Sequence, residues 1–279
     1  MSVTNRVLFS DNGVLVDLTK DTNKFKSGTA TIADYTAAQD YLYLGSMAPF
    51  NHFYVKMATA SAVPASMTAE YWDGKAWIPT YKLDDETSGL TASGFITMFP
   101  RRDNAWNVES TNDRGDQVTG LTTINVYDMY WMRLKLSADV PLGFAISWIG
   151  HKFSDDDDLA SEFPDLVRAK MLLAYGTAKT SWEEQHAKAA DLITQDLISS
   201  EVISWKGQIL VRDEFTLASI QKVAELIFNA LGDDYLDQRD RAQAEYKRRL
   251  DKSSYRIDAN SNALLSQAEA VSRSGFMRR

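Results

Sequence analysis

One change of period divides this chain of 279 residues. Up to about Gly150 apolar residues alternate with polar ones, the two-residue repeat of strands with one buried face. Phe53, Val55 and Met57 alternate with Tyr54 and Lys56. Tyr130, Met132, Leu134 and Leu136 alternate with Trp131, Arg133 and Lys135, and Phe144, Ile146 and Trp148 repeat the pattern. Farther on, apolar residues recur every three to four positions, as on one face of a helix. A single switch of this kind predicts an α+β, multidomain chain with strands and helices segregated. Asp73-Gly74, between Tyr71-Trp72 and Ala76-Trp77, supplies the positive φ angles of a type I′ turn and predicts a β-hairpin over Met67–Thr80. The short runs around it, punctuated by Gly, Asn and Asp, predict an antiparallel β-sandwich of about eight strands over residues 1–154, jelly-roll-like in kind.

Asp155-Asp156-Asp157-Asp158 interrupts the pattern. Adjacent carboxylates cannot all face one ion without an unusual backbone path, so residues 155–162 read as a solvated acidic linker rather than a calcium loop. A helical bundle is expected over 163–254. Pro164 suits a first helical position, with Phe163, Val167, Met171, Ala174 and Ala178 on one stripe. Ser181-Trp182-Glu183-Glu184 has the form of a capping box before a face of Trp182, His186, Ala189, Ile193 and Leu197. Asp213 can cap a third helix with Leu217, Ile220, Ala224, Ile227 and Leu231 inward, and Gly232 can end it. A fourth helix, over about 234–250, has only a thin stripe of Tyr235, Ala242, Tyr246 and Leu250, interrupted by Arg239. Asp237–Arg241 and Glu245–Arg249 are acid-before-base pairs at the favourable spacing. Such a helix buries little in its own chain, leaving two readings: a solvated edge, or a face for a neighbouring subunit.

Composition narrows function chiefly by exclusion. With no cysteine there is no disulfide, thiolate metal site or thiol nucleophile. A net charge of −8 argues against a generally basic nucleic-acid binder. That charge is uneven: residues 1–154 carry −3, residues 155–238 carry −10, and residues 239–279 carry +5. No apolar run is long enough to span a membrane, and the first residues predict no secretory signal.

Catalytic patterns are sparse. His52, His151 and His186 form no zinc-binding spacing, and His186 reads as a hydrogen-bonded core residue. There is no nucleophile elbow and no phosphate loop. Asp73 and Asp84-Asp85-Glu86 offer carboxylates for glycoside chemistry, but sequence spacing shows no pair across a cleft. The chain is therefore expected not to be an enzyme and to need no cofactor. Asp258, Asn260, Asn262, Ser266 and Glu269 occupy calcium-loop positions, with Leu264 offering a carbonyl. Ala263 stands where the loop needs glycine, so the segment reads as an EF-hand-like turn leading into a short final helix. Residues 255–279 end in a basic tail in which Phe276 and Met277 sit among Arg273, Arg278 and Arg279, a combination suited to an acidic, partly apolar surface.

The helical half resembles the head–tail connector (neck adaptor) proteins of tailed bacteriophages. The residues carrying this are Ala189 to Leu197, Gln208-Ile209-Leu210 before an Asp-headed helix, Gly232-Asp233-Asp234-Tyr235, and Tyr246…Leu250…Tyr255 entering the Asp258–Glu269 turn. Separately, Glu70 to Trp77 is similar to a hairpin of virion β-sandwich modules. The resemblance implies a structural virion protein in the neck, assembled in the host cytoplasm. It would form a homo-oligomeric ring of about twelve copies, seated on the portal protein, joining capsid to tail around DNA that passes without sequence-specific binding. It further implies portal binding by Arg273, Phe276, Met277, Arg278 and Arg279, and subunit or channel contacts by Arg239, Arg241, Arg248 and Arg249. A tail-terminator or next neck protein would follow in the stack, with collar or fibre proteins on the β domain and no membrane contact. Two other readings compete: a carbohydrate-binding or fibre-attachment module using exposed Trp and Tyr, and a glycoside-degrading enzyme using Asp84 or Glu86.

Overall fold

The computed structural model describes residues 6–23, 25, 28–104, 106–109, 118, 120–121, 129–177, 179–252, 254–258 and 270–272. They separate into two compact units, one up to Gly150 and one from His151 onward. The division thus falls a few residues before the acidic tetrad.

The first unit contains β1 (Arg6–Asp11), β2 (Val14–Asp17), a single turn α1 (Thr19–Thr22), β3 (Ala30–Ile32), β4 (Tyr41–Ser46), β5 (His52–Thr59) and β6 (Met67–Trp72). It continues with β7 (Trp77–Pro79), β8 (Lys82–Asp85), β9 (Gly94–Phe99), β10 (Val108–Glu109), β11 (Met129–Leu136) and β12 (Phe144–Gly150). A seven-stranded sheet runs β2-β1-β4-β11-β6-β7 with β10 also on β11, and a five-stranded sheet runs β3-β12-β5-β9-β8. All pairings are antiparallel. Val7, Leu44, Met132 and Leu134 of the larger sheet share one buried cluster with Phe53, Val55, Ile96 and Ile146 of the smaller. The alternation at Tyr130–Leu136 and at Phe53–Met57 thus marks the inward face, as expected from strand geometry.

Three details depart from the sequence reading. Trp148 does not share a face with Ile146: β12 shifts register against β5 between Ala145 and Trp148, and such a bulge reverses the alternation. Trp148 therefore packs with Tyr54 and Phe25, while Ile149 takes the inner position. The β6–β7 hairpin forms, but not through a two-residue type I′ turn. Trp72 pairs with Trp77, leaving a four-residue loop in which only Gly74 has positive φ. Asp73 Oδ1 organises that loop by accepting from the N–H groups of Lys75 and Ala76, both at 2.8 Å. The type I′ geometry occurs instead at Asn12-Gly13, with φ +46 and +84, between the paired Asp11 and Val14.

The outer face of the larger sheet is also covered in part. Leu8, Tyr43, Trp72 and Trp131 form a second buried cluster with Val118 and Leu121. Gly45 pairs with Trp131, and a Cβ there would lie 2.7 Å from the indole, so the ring fits because this strand position has no side chain.

The second unit contains α2 (Asp156–Glu162), α3 (Ala169–Tyr175), α4 (Glu183–Ser199), α5 (Asp213–Leu231), α6 (Leu236–Lys252) and a small hairpin of β13 (Ser254–Arg256) with β14 (Ala270–Ser272). The aspartate tetrad is not a solvated linker. Asp155 caps α2, its carboxylate accepting from Asp157 N and Asp158 N, while Asp158 accepts from Asp155 N at 3.1 Å. Four carboxylates at one helix start also favour the partial positive charge there. Pro164–Val167 form a turn rather than a helix, and α3 begins only at Ala169; Phe163, Val167 and Met171 still pack on the core, whereas Ala174 is exposed. Ala178 lies outside the described residues.

The face predicted for α4 is buried throughout: Trp182, His186, Ala189, Ile193 and Leu197. The Ser181–Glu184 box does not form: the helix starts one residue later with Trp182 at its cap position, and Asp156 accepts Trp182 N on both oxygens at 3.0 and 3.1 Å. Asp213 is the first residue of α5 rather than its cap, and Leu217 is 40% exposed while Ile220, Ala224 and Ile227 are buried. Gly232, at φ +96, ends α5 as its lack of a side chain allows. A 3₁₀ turn over Asp233–Tyr235 then returns the chain into α6. The expectation that this fourth helix buries little in its own chain fails. Ala242 joins Ile220, Ala224 and Phe228, while Tyr246 and Leu250 join Phe215, Tyr255 and Ile257. From Ala242 to Leu250 the thin stripe is buried, while Tyr235 is half-buried. Among the described residues, Ala270–Ser272 is a strand paired with Ser254–Arg256 rather than part of a short final helix.

Candidate functional site

With the stripe of α6 covered by α5, the rest of the helix faces outward as a dense set of ions. Asp237, Asp240, Arg241, Lys247, Arg248 and Asp251 are exposed. Arg239 holds its neighbour Asp240 at 2.7 Å. Glu245 is chelated by two guanidinium groups, Arg248 Nε at 2.7 Å and Arg249 Nε at 2.8 Å. The hydrogen bond from Arg248, then that from Arg249, outweighs desolvation and draws the Glu245 carboxyl down to about 2. Of the two predicted i,i+4 pairs, Glu245–Arg249 forms and is extended by Arg248. No Asp237–Arg241 bridge is present among the described residues. The four predicted arginines thus lie on one helix, three engaged along its surface and Arg241 exposed.

At the other end of the same helix pair is a groove of 520 Å³. Its floor is apolar: Phe163 meets Phe228 edge-on at 6.3 Å, Phe228 stacks on Tyr235 at 5.8 Å, and the Tyr235 hydroxyl lies 4.0 Å from Met171 Sδ. Its rim carries Glu162, Asp165, Arg168 and Lys170, with Arg168 bridged to Asp165 at 2.7 Å. Asp233, Asp234 and Asp237 are exposed along the adjoining turn and helix start. Sequence reading did not find this groove, because it depends on Phe163–Leu166 leaving the helical path.

Inside the unit, Ser154 Oγ lies 2.7 Å from His186 Nδ1 and 2.7 Å from Ser219 Oγ. His186 Nε2 is 3.2 Å from Asp156 Oδ1, off the ideal hydrogen-bond line. Burial, opposed by Asp156, pushes the His186 pKa down, whereas burial of Asp156 is outweighed by the nearby His186 ring and the bonds from Trp182 N, which hold its pKa low. The atoms are those of a serine–histidine–carboxylate relay, but Ser154 and His186 are fully buried, leaving no approach for an acyl donor. The arrangement joins α2, α4 and α5, and His186 is the hydrogen-bonded core residue that the sequence suggested. Nothing in the spacing of residues 154, 156, 186 and 219 could have revealed the cluster.

The remaining carboxylate candidates lie in and just after strand β8 and in the β6–β7 loop. Asp85 accepts from Thr87 N and Gly89 N at 2.8 Å each, Asp84 pairs with Lys82 at 2.6 Å, and Asp73 organises the hairpin loop. Glu86 follows Asp85 directly, at the end of β8. Of the tryptophans in the first unit, Trp72, Trp106, Trp131 and Trp148 are buried, so they offer no sugar-stacking platform. Asp258 is buried, its N–H bonded to Gln208 O at 2.9 Å and its carbonyl accepting from Gln208 Nε2 at 3.0 Å. Asn260, Asn262, Leu264, Ser266 and Glu269, like Arg273, Phe276, Met277, Arg278 and Arg279, lie outside the described residues. Among the described residues, no group of three or more His, Asp or Glu is placed to hold a metal ion, and no helix is long and apolar enough to cross a membrane. No protein-family model matches the chain, and no curated protein matches it.

Proposed function

We propose that the chain is a structural virion protein, a neck adaptor that assembles as a ring on the portal and joins capsid to tail around the DNA channel. The observation that carries this reading is the outward face of α6: Ala242, Tyr246 and Leu250 are buried within the unit, and most of the exposed remainder is an interleaved array of acids and arginines. Such a face suits contacts that must form in one register and recur around a ring, because like charges penalise wrong registers. The first unit, with two antiparallel sheets on one core and a chain that crosses repeatedly between them, fits a jelly-roll-like β-sandwich of the virion type. It would serve collar or fibre partners. The basic segment 273–279 supplies the portal-binding anchors. The test is to incubate the full chain with the portal of the same virus and weigh the products by mass photometry. A ring bound to the portal is expected for the wild type, and its loss for Arg241→Glu with Arg248→Glu. A chain that stays monomeric with portal present would refute the proposal.

A second reading, an attachment module that stacks on saccharide, has one observation in its favour. Tyr81 is 83% exposed and bonds through its N–H to Phe99, itself 38% exposed. Binding to a glycan array that is lost with Tyr81→Ala would support it over the neck reading.

A further inference from the structure

We infer that the groove at the α5–α6 turn is a seat for residues 273–279 of another copy of this chain, Phe276 and Met277 entering between Phe163, Phe228 and Tyr235. Chemistry matches the two surfaces. Met and Phe pack well on aromatic floors, a thioether near a ring edge adding a favourable contact. The arginines of the segment meet a neighbourhood in which Glu162, Asp233, Asp234 and Asp237 outnumber Lys170 and Arg239, Asp165 and Arg168 being paired together. The stretch that builds the groove belongs to the part of the chain carrying −10, and the segment belongs to the part carrying +5.

Reach decides whose segment it is. The described chain stops at Ser272, paired with Ser254, just beyond the last turn of α6. Tyr255 stacks there on Phe215 at 4.7 Å, at the first turn of α5. The groove lies at the opposite end, at Phe228 and Tyr235. Thirteen residues of α5 separate Phe215 from Phe228, about 20 Å at the helical rise. Four residues from Ser272 to Phe276 span at most about 14 Å even when fully extended. To reach its own groove the segment would have to run straight and fully extended along α5, with the Phe276 side chain making up the last few ångströms, so a second copy is the partner assigned. A donor end on one copy filling an acceptor end on the next is a heterologous contact, the kind that propagates into rings. The inference does not rest on the neck reading, since no portal takes part. A portal that uses the same anchors would displace the neighbouring groove.

The absence of cysteine makes a direct test possible. Full-length Gln238→Cys chain, altered at an exposed rim position, is mixed with full-length Met277→Cys chain under mild oxidation. A disulfide forms readily only where Cβ atoms come within about 4.5 Å. The mixed two-chain product should form at least about tenfold faster than with Lys188→Cys, an exposed position on α4, in place of Gln238→Cys. Adding Phe276→Ser to the Met277→Cys chain should remove that advantage. Equal rates for Gln238→Cys and Lys188→Cys would overturn the inference, as would an unchanged rate with Phe276→Ser. A double Gln238→Cys/Met277→Cys chain that closes on itself without joining copies would overturn the second-copy assignment.

Discussion

Replacing Leu250 by alanine separates the two accounts of α6. The side chain is 1% exposed and lies among Phe215, Tyr246, Tyr255 and Ile257 of its own unit. Tyr255 is stacked on Phe215 and its hydroxyl is fixed to the Leu250 carbonyl at 2.7 Å, so the surroundings cannot close readily over a cavity. The cost belongs in the upper range for such truncations, about 3–5 kcal/mol. At about 1.4 kcal/mol per decade, the slowest amides of α5 and α6 should exchange with deuterium roughly a hundred to several thousand times faster in the variant. Exchange is the suitable assay because two units make a single melting transition hard to interpret. Dilution supplies the second axis. Burial within the chain is indifferent to concentration, whereas burial by a neighbour would lose up to about 2.7 kcal/mol on hundredfold dilution. A Leu250→Ala chain with unchanged exchange, or wild-type α6 that deprotects on dilution, would refute the internal packing.

Three further outcomes follow from the geometry. Asp156→Asn weakens the tie from α2 to Trp182 N and His186, and at pH 7 should destabilise the helical unit by about 1–3 kcal/mol in chemical unfolding followed on that unit. Because the folded Asp156 pKa is depressed, its contribution is present above the ordinary carboxylate value and lost as pH falls through the folded one; the variant and wild type should converge in strong acid. His186 adds a loss at milder acidity: its folded pKa is below the ordinary value near 6.5, so protons favour the unfolded chain as pH drops below that value, and His186→Gln should flatten this part of the profile. Gly45→Ala drives a methyl group into the Trp131 indole and should cost about 1–3 kcal/mol, read as altered near-ultraviolet dichroism and an earlier transition of the β unit.

The sequence was most legible where side chains repeat against a regular backbone. Tyr130 to Leu136 and Trp182 to Leu197 disclose their inward faces because period and burial agree over several turns or pleats. It was less legible wherever a distant group did the work of a local one. Ser181 looks like a cap, but the cap position falls on Trp182, whose amide is held by Asp156, 26 residues before it. Trp148 follows the alternation until a bulge turns it outward. The thin stripe of α6 suggested missing burial, yet small Ala242 and long Tyr246 and Leu250 match the surface of α5, a complementarity that no count of apolar residues reveals. Of the candidate site, the arginines of α6 could be read directly, while the groove required the three-dimensional path of Phe163 to Leu166.

The cluster that joins Phe153 to Tyr255 and Ile257 also orders events during synthesis. Among the described residues the large sheets end at Gly150, so that half can close while the helices are still being made. The helical half holds Phe153, near its start, against Tyr255 and Ile257, beyond its last long helix, and this cluster cannot close until Ile257 has left the ribosome. At ordinary elongation rates the interval is about 5–20 s. During it, Phe153 and Phe215 wait without their final covering. A pause or slow codon placed late in that window prolongs the exposure of the helical half alone, and misassembly should begin there.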